Sequence, residues 1–241
     1  MGEGEDVWEE FHRQLFPQHP PEGGDGLPDT TLVDTAVSAG ADLDMVTGRA
    51  RVLNPGFGLG LTVGGMLGLA AAFMLAVDKY RILEDPSFQP SCNLNPVLSC
   101  GSVMVTDQAE LFGFPNPLIG IISFTAVIVV GVFIAARIPL PRWVIGGLAC
   151  GGVLGSVFVH WLMFQSLYRI GALCPWCMVV WAVTIPITVW TTLLFARSAS
   201  GPVSRVADEL WAWRFLMVSC WYLAIVLLAL ERFWSYWRTL M

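Results

Sequence analysis

Four long windows of the chain contain no Asp, Glu, Lys or Arg. Val52–Val77, Leu111–Ala136 and Trp143–Tyr168 are 26 residues each, and Ile170–Ala196 is 27. About 20 apolar residues cross a bilayer core as helix, the form that bonds every backbone polar group within the segment. Each window exceeds that length and predicts a membrane span. A fifth, Phe215–Leu230, has 16 residues and reaches 21 if the helix starts at Leu210 and Arg214 snorkels. Only 13% of the chain is charged, against about 25% in an ordinary soluble domain, so a plain soluble enzyme is excluded. Nucleic-acid binding is excluded as well, because the net charge is −6 and the 13 Lys and Arg are scattered.

Charge divides the chain. Residues 1–54 hold 11 Asp and Glu against 3 Arg, and the remainder carries 8 acidic and 10 basic residues. The expected organisation is an acidic, largely disordered cytoplasmic tail over 1–54, rich in Pro and Gly around 20–26. A four-helix membrane domain follows over 55–200, with a long loop over 78–116. Residues 201–241 then read as a cytoplasmic linker, the fifth span and a short outer C-terminus. The start lacks the basic and apolar regions of a secretory signal, so the first span reads as an uncleaved anchor. Arg137 and Arg142 flank the short turn between the second and third spans. By the positive-inside rule that turn is cytoplasmic, which puts the N-terminus inside and 78–116 and 168–174 outside. Two glycine rows, Gly60, Gly64, Gly68 and Gly147, Gly151, Gly155, are expected to be surfaces of close helix packing.

Cysteine placement is the main functional signal. Cys92 and Cys100 lie in the long loop, and Cys174 and Cys177 form C-P-W-C at the start of the fourth span. All four fall on the outer, oxidising side under this orientation. Pro175 suits a first helical turn, so Cys174 sits at a helix N-terminus, where the dipole favours the reactive thiolate. Cys177 is one turn deeper, about 4.5 Å, with Trp181 on the same face. A dithiol that begins at the water surface and points into lipid suits exchange with a lipid-soluble partner; the plainer alternative is a structural disulfide. In the loop, Asn95 can cap a short surface helix beginning at Pro96, with Val97, Cys100, Val103 and Met104 on its apolar face. Cys100 would then face the bundle and Cys92 the outside, either to pass electrons inward or simply to staple the loop. Cys150 and Cys220 sit alone within spans and read as small hydrophobes. Four thiols could in principle hold a metal, but neither pair has zinc-ribbon spacing and no metal is expected. His160, the ionisable residue inside a span, is a functional candidate by default, as a proton source or an interfacial group.

Cys92-x7-Cys100-Gly101, then Phe112-Gly113-Phe114-Pro115-Asn116, then Cys174-Pro175-Trp176-Cys177 occur in that order. Over roughly residues 57–196 the chain resembles a vitamin K epoxide reductase homologue of the bacterial, actinobacterial kind. The unrelated quinone-linked oxidase of periplasmic disulfide formation has its cysteine pairs in the reverse order. The resemblance implies an all-α integral membrane protein, a four-helix bundle around a quinone pocket, here with a fifth transmembrane helix added. It implies that Cys92 takes electrons from a partner's dithiol, that Cys100 relays them to Cys174, and that Cys177 delivers them to the quinone, menaquinone being expected. Asn116 aligns with a position that hydrogen-bonds a quinone carbonyl, and Trp181 with an aromatic position near the other end of the ring. The alternatives are a cap for the second span and an interfacial Trp. The family often has Ser or Thr directly after the second loop cysteine; here Gly101 stands there with Ser102 next, which puts a hydroxyl role for Ser102 in doubt. Few residues follow the fifth span, so the expected partner is a separate, extracytoplasmic thioredoxin-fold protein resembling the DsbA type. The expected activity is a plasma-membrane thiol oxidase for disulfide formation. Thiol-driven reduction of vitamin K epoxide or quinone is the alternative within the family, and a non-enzymatic scaffold with structural disulfides the alternative outside it.

Overall fold

The computed structural model describes residues 3–18, 29–39, 55–138, 140–198 and 202–239. These are almost wholly helical. Two compact units emerge, Met1–Val52 with Pro139–Arg142, and Leu53–Ile138 with Trp143–Met241. In the first, helices α1 (Glu3–Leu15) and α2 (Asp29–Ser38) occupy the acidic segment that the sequence reading leaves largely disordered. A Ser38 hydroxyl donates to Gln14 Oε1 at 2.6 Å and ties the two together.

The second unit carries helices long and apolar enough to cross a membrane, α3 (Pro55–Glu84), α5 (Pro117–Ala135), α6 (Arg142–Gln165, prolonged by a π-helical turn to Ile170), α7 (Pro175–Arg197) and α8 (Pro202–Arg232). A five-residue helix, α4 (Cys100–Met104), lies in the connection between α3 and α5, and α9 (Trp234–Trp237) follows α8. Five spans therefore stand as expected, and the chain is a multi-pass membrane protein.

Their limits differ from the charge-free windows. Helix α3 continues past Val77 through Asp78, Lys79 and Arg81 to Glu84, so the connection expected over 78–116 begins at 85. Asp78 and Lys79 are buried within the protein. Helix α5 begins at Pro117 and not near Leu111. Residues Asp107–Glu110 form a 3-10 turn, and Gly113 adopts φ +79, a left-handed conformation suited to glycine. Residues 202–209, read as linker, are the first turns of α8 with Pro202 at its start, held to α7 by an Arg197–Asp208 ion pair at 2.5 Å.

The close helix approach also falls one register away from the expected rows. A Cβ on Gly58 would strike the backbone of Gly131 and Ala135, and one on Gly131 would strike Thr62, so α3 and α5 touch backbone to backbone there. Gly68 packs under the Phe124 ring, as its row predicts, but Gly60 has open space and Gly64 meets only the end of Ile187. A Cβ on Gly147, Gly151 or Gly155 would meet nothing within 4 Å; Gly146 and Gly152 make the contacts of α6 instead. Cys150 and Cys220, expected in the interior of the spans, lie exposed on the bundle surface. Helix α8 packs on α7 through Val218 against Ile185, Val189 and Leu193.

Candidate active site

The site is assembled from three segments at one end of the bundle. In the first, Asn95 does not cap a helix starting at Pro96. Its Oδ1 accepts from the backbone N–H groups of Val97 (3.0 Å) and Leu98 (2.8 Å) and closes a tight turn. The helix begins at Cys100, where Ser99 is the cap, its Oγ accepting from Ser102 N–H at 3.2 Å. A cap must lie directly before its helix, and the turn at Asn95 uses up the residues between. Asn93 Oδ1 accepts from Gly101 N–H at 2.8 Å, and a Cβ on Gly101 would lie 3.0 Å from Asn93 Nδ2. The amide of Asn93 thus fills the space that a side chain at 101 would need.

The second segment is the link from α6 to α7. Leu98 and Leu173 form a parallel β-bridge. Leu173 N–H donates to Val97 O at 2.7 Å and Ser99 N–H donates to Leu173 O at 2.9 Å. The residue after Ser99 is Cys100 and the residue after Leu173 is Cys174, so the bridge brings the two cysteines together. The Cys174 thiol points at Cys100 Sγ, 3.3 Å away. Cys100 is bonded to Cys92 in a disulfide. Cys174 and Cys100 are both fully buried, and Cys92, expected to face outward, is only 6% exposed. It turns into a cluster with Leu75, Met104, Cys100 and Cys174, because the disulfide draws both sulfurs to the same side of the short helix.

Cys174 is the N-cap of α7 and Pro175 follows at the first position; Cys174 Sγ accepts from Cys177 N–H at 3.4 Å. The hydrogen bond from the Cys177 thiol lowers the Cys174 pKa below the ordinary thiol value. The backbone N–H groups of Cys177 and Trp176 add to this, while burial and the charge of Asp78 oppose it. A thiol favoured as thiolate, aligned on one sulfur of a disulfide, is set for thiol–disulfide exchange.

The third segment is the C-terminal end of α3. Lys79 Nζ donates to Met104 O at 2.7 Å and pairs with Glu110 at 2.8 Å. That ammonium fixes the C-terminal end of α4, and with it Cys100.

The remaining expected residues are placed as follows. Asn116 is 8% exposed. It makes no cap bond to α5; its Oδ1 accepts from Leu111 N–H (3.2 Å) and its Nδ2 donates to Gln108 O (2.7 Å), closing the loop ahead of the helix. One Nδ2 hydrogen remains to be used. Trp181 is buried among Val97, Met163, Leu173 and Phe233, a cluster against which Cys177 also packs. Ser102 is exposed and its Oγ bonds Ser99 Oγ at 2.8 Å. His160 is held from two sides: Nδ1 bonds Ser156 O at 2.6 Å, and Nε2 accepts from Trp221 Nε1 of α8 at 2.9 Å. A Trp N–H only donates, so the ring is neutral with its proton on Nδ1.

Trp176 was legible only as the third residue of C-P-W-C. Its indole packs on the cysteine cluster, and its Nε1 is buried without a partner among the described residues. A donor left open beside the reacting sulfurs fits a carbonyl acceptor such as that of a quinone. Among the described residues no group of three or more His, Cys, Asp and Glu could hold a metal ion.

The model of the Vitamin K epoxide reductase family matches residues 59–192, more than half of the chain. The chain belongs to the vitamin K epoxide reductase family. No curated protein matches it. The family consists of thiol-dependent quinone oxidoreductases that act with thioredoxin-like partners, and the matched region takes in all three segments that bring the cysteines together. Helix α8, which receives His160, lies outside it.

Proposed function

We propose that this vitamin K epoxide reductase homologue is a thiol oxidase, which regenerates the disulfide of a separate, extracytoplasmic thioredoxin-fold protein and passes the electrons to membrane quinone, menaquinone above all. The observation that carries the reading is the 3.3 Å contact between Cys174 Sγ and Cys100 Sγ. It joins the two pairs in one line, Cys92, Cys100, Cys174, Cys177. A scaffold stapled by two disulfides has no use for a thiol aimed at a disulfide.

The chemistry runs as successive exchanges. A partner thiolate attacks Cys92, breaking the Cys92–Cys100 bond, and the partner's second thiol resolves the mixed disulfide. That leaves Cys92 and Cys100 reduced. Cys100 then attacks Cys174 of the oxidised C-P-W-C, and Cys177 leaves. Cys92 attacks Cys100, and Cys174 leaves. The structure corresponds to the state after this last step, with Cys92–Cys100 closed and Cys174 a thiol. Because Cys92 is buried, the partner must displace the chain around it, where Leu94, two residues on, is exposed. A bound quinone takes up two electrons and two protons. Trp176 Nε1 and the second Nδ2 hydrogen of Asn116 would be the donors to it, and Trp181, in the cluster against which Cys177 packs, would lie against its ring. His160 is engaged at both ring nitrogens, which favours a role in seating α8 over proton supply; Ser102 belongs to the cap of α4.

Arg137 and Arg142 support an inside N-terminus, with the acidic segment 1–54 cytoplasmic, the redox domain over 55–200 and the cysteines on the outer side of the plasma membrane. The test is quinone reduction by the purified protein in vesicles, supplied with a reduced DsbA-like protein. The expected result is stoichiometric loss of partner thiols and of quinone. Turnover of vitamin K epoxide in place of that reaction would move the protein to the reductase reading, and no redox cycling at all would leave only a scaffold.

A further inference from the structure

Asp78 is a buried carboxylate on the face of α3 that packs on the cysteines. It lies on α3 between Leu75 and Ile82, one turn to either side, and both pack into the cluster of Cys92, Cys100, Met104 and Cys174. Asp78 is 4% exposed, and its Oδ2 has no hydrogen-bond partner among the described residues. Its charge reaches Cys174. The other charged and titratable groups around it are accounted for. Lys79 spends its ammonium on Met104 O and Glu110. Arg81, whose charge reaches Asp78, is exposed and lies over the Phe88 ring at 5.5 Å. Cys177 hydrogen-bonds Cys174, and Cys92 and Cys100 become thiols only on reduction. A carboxyl oxygen buried without a partner weakens the fold, and an ionisable group in a span marks function by default.

We propose that Asp78 carries the proton of the internal thiol–disulfide exchange. This rests on the Cys100–Cys174 relay proposed above. When Cys92 attacks the Cys100–Cys174 disulfide, the Cys92–Cys100 bond forms, the Cys100–Cys174 bond breaks and Cys174 leaves with the electron pair. The step consumes one thiol proton, from Cys92, and needs one, at Cys174. Asp78 accepts the first and delivers the second, so no net proton enters or leaves the buried cluster. In the reverse step Cys174 gives its proton to the carboxylate before attacking Cys100.

The test needs neither quinone nor a protein partner. In a Cys177→Ser parent, the thiol at Cys174 can still attack Cys100, and each attack releases Cys92. The rate at which Cys92 becomes alkylated, read by mass spectrometry of its peptide, is therefore the rate of internal exchange. Adding Asp78→Asn should slow it on the order of 100-fold, the scale of a positioned general acid–base group, and Asp78→Glu should restore most of it. Simple electrostatics predicts the opposite sign: removing a negative charge beside Cys174 gives more thiolate and faster exchange. Equal or faster alkylation with Asp78→Asn overturns the proposal, as does a loss of rate that only follows a loss of thermal stability in both variants. If Asp78→Asn fails to accumulate, a solvent deuterium isotope effect on the parent decides, and an effect of unity overturns the proposal. Absence of Cys92 alkylation in the parent itself overturns the relay, and the proton role falls with it.

Discussion

Leu173 N–H donates to Val97 O at 2.7 Å, and the β-bridge that this bond helps make between Leu173 and Leu98 stands directly before Cys174 and one residue short of Cys100, with Ser99 between. Two connections far apart in sequence are thereby fixed to each other at the residues preceding the reacting sulfurs. Leu173→Pro removes that donor. The loss to stability is expected to be about 1–3 kcal/mol, from one hydrogen bond and some packing. Exchange between the cysteine pairs should fall much further, on the order of 100-fold, because misplacement of about 1 Å between reacting groups has that effect. Thermal melting beside dithiol-driven quinone reduction separates the two.

Lys79 anchors the other end of α4. Lys79→Met keeps the aliphatic stem in the cluster but leaves Met104 O and Glu110 without their donor. We expect a loss of about 1–3 kcal/mol and faster alkylation of Cys92 in the reduced protein as the segment loosens. Unchanged stability and unchanged alkylation would show that the ammonium is not the anchor.

Cys174 should react at lower pH than an ordinary thiol. Its pKa is lowered first by the hydrogen bond from the Cys177 thiol, so thiolate is present below the usual thiol range and is lost as pH falls through the lowered value. The pH profile of Cys174 alkylation by a small neutral reagent should be displaced to acid. Cys177→Ala removes the first cause and should move the profile back towards alkaline pH. A profile that does not respond to Cys177 would contradict the assignment.

Trp176→Phe tests the open indole donor. If Trp176 Nε1 holds a quinone carbonyl, the loss of one hydrogen bond of about 1 kcal/mol raises the quinone KM roughly fivefold. The internal exchange should be untouched. An unchanged KM would remove Trp176 from the quinone site.

The spans and the ends of the chain segments that carry Cys174 and Cys177 were legible in sequence because lipid leaves few choices: an uncharged window of sufficient length must be helix, and C-P-W-C at its start is held at one end. What was not legible depends on packing between distant segments. Gly60, Gly64 and Gly68 form a four-residue row on α3, but Gly58, Gly65 and Gly68, spaced by seven and three, form another, and contact with Gly131, Ile128 and Phe124 on α5 selects the second. Asp78 and Lys79 read as the charges that end a span. Lys79 lies buried inside the helix because Met104 O and Glu110, from the following connection, receive its ammonium. Asn95 has the composition of a helix cap, but the bridge at Leu98 delays the helix to Cys100. The inward turn of Cys92 follows from its disulfide to Cys100, a pairing that two cysteines eight residues apart do not dictate.

The most direct test of the account is the identity of the disulfide that accumulates in Cys177→Ser. In Cys177→Ser the Cys174–Cys177 disulfide cannot form, so exchange is confined to the bond that Cys174 makes with the loop pair, while a serine hydroxyl can keep the hydrogen bond to Cys174. The protein is taken with its Cys92–Cys100 disulfide closed and no reductant present, released thiol is trapped by alkylation at neutral pH, and linked peptides are read by mass spectrometry. The 3.3 Å contact predicts a Cys100–Cys174 bond with Cys92 alkylated; a Cys92–Cys174 bond with Cys100 alkylated would contradict it.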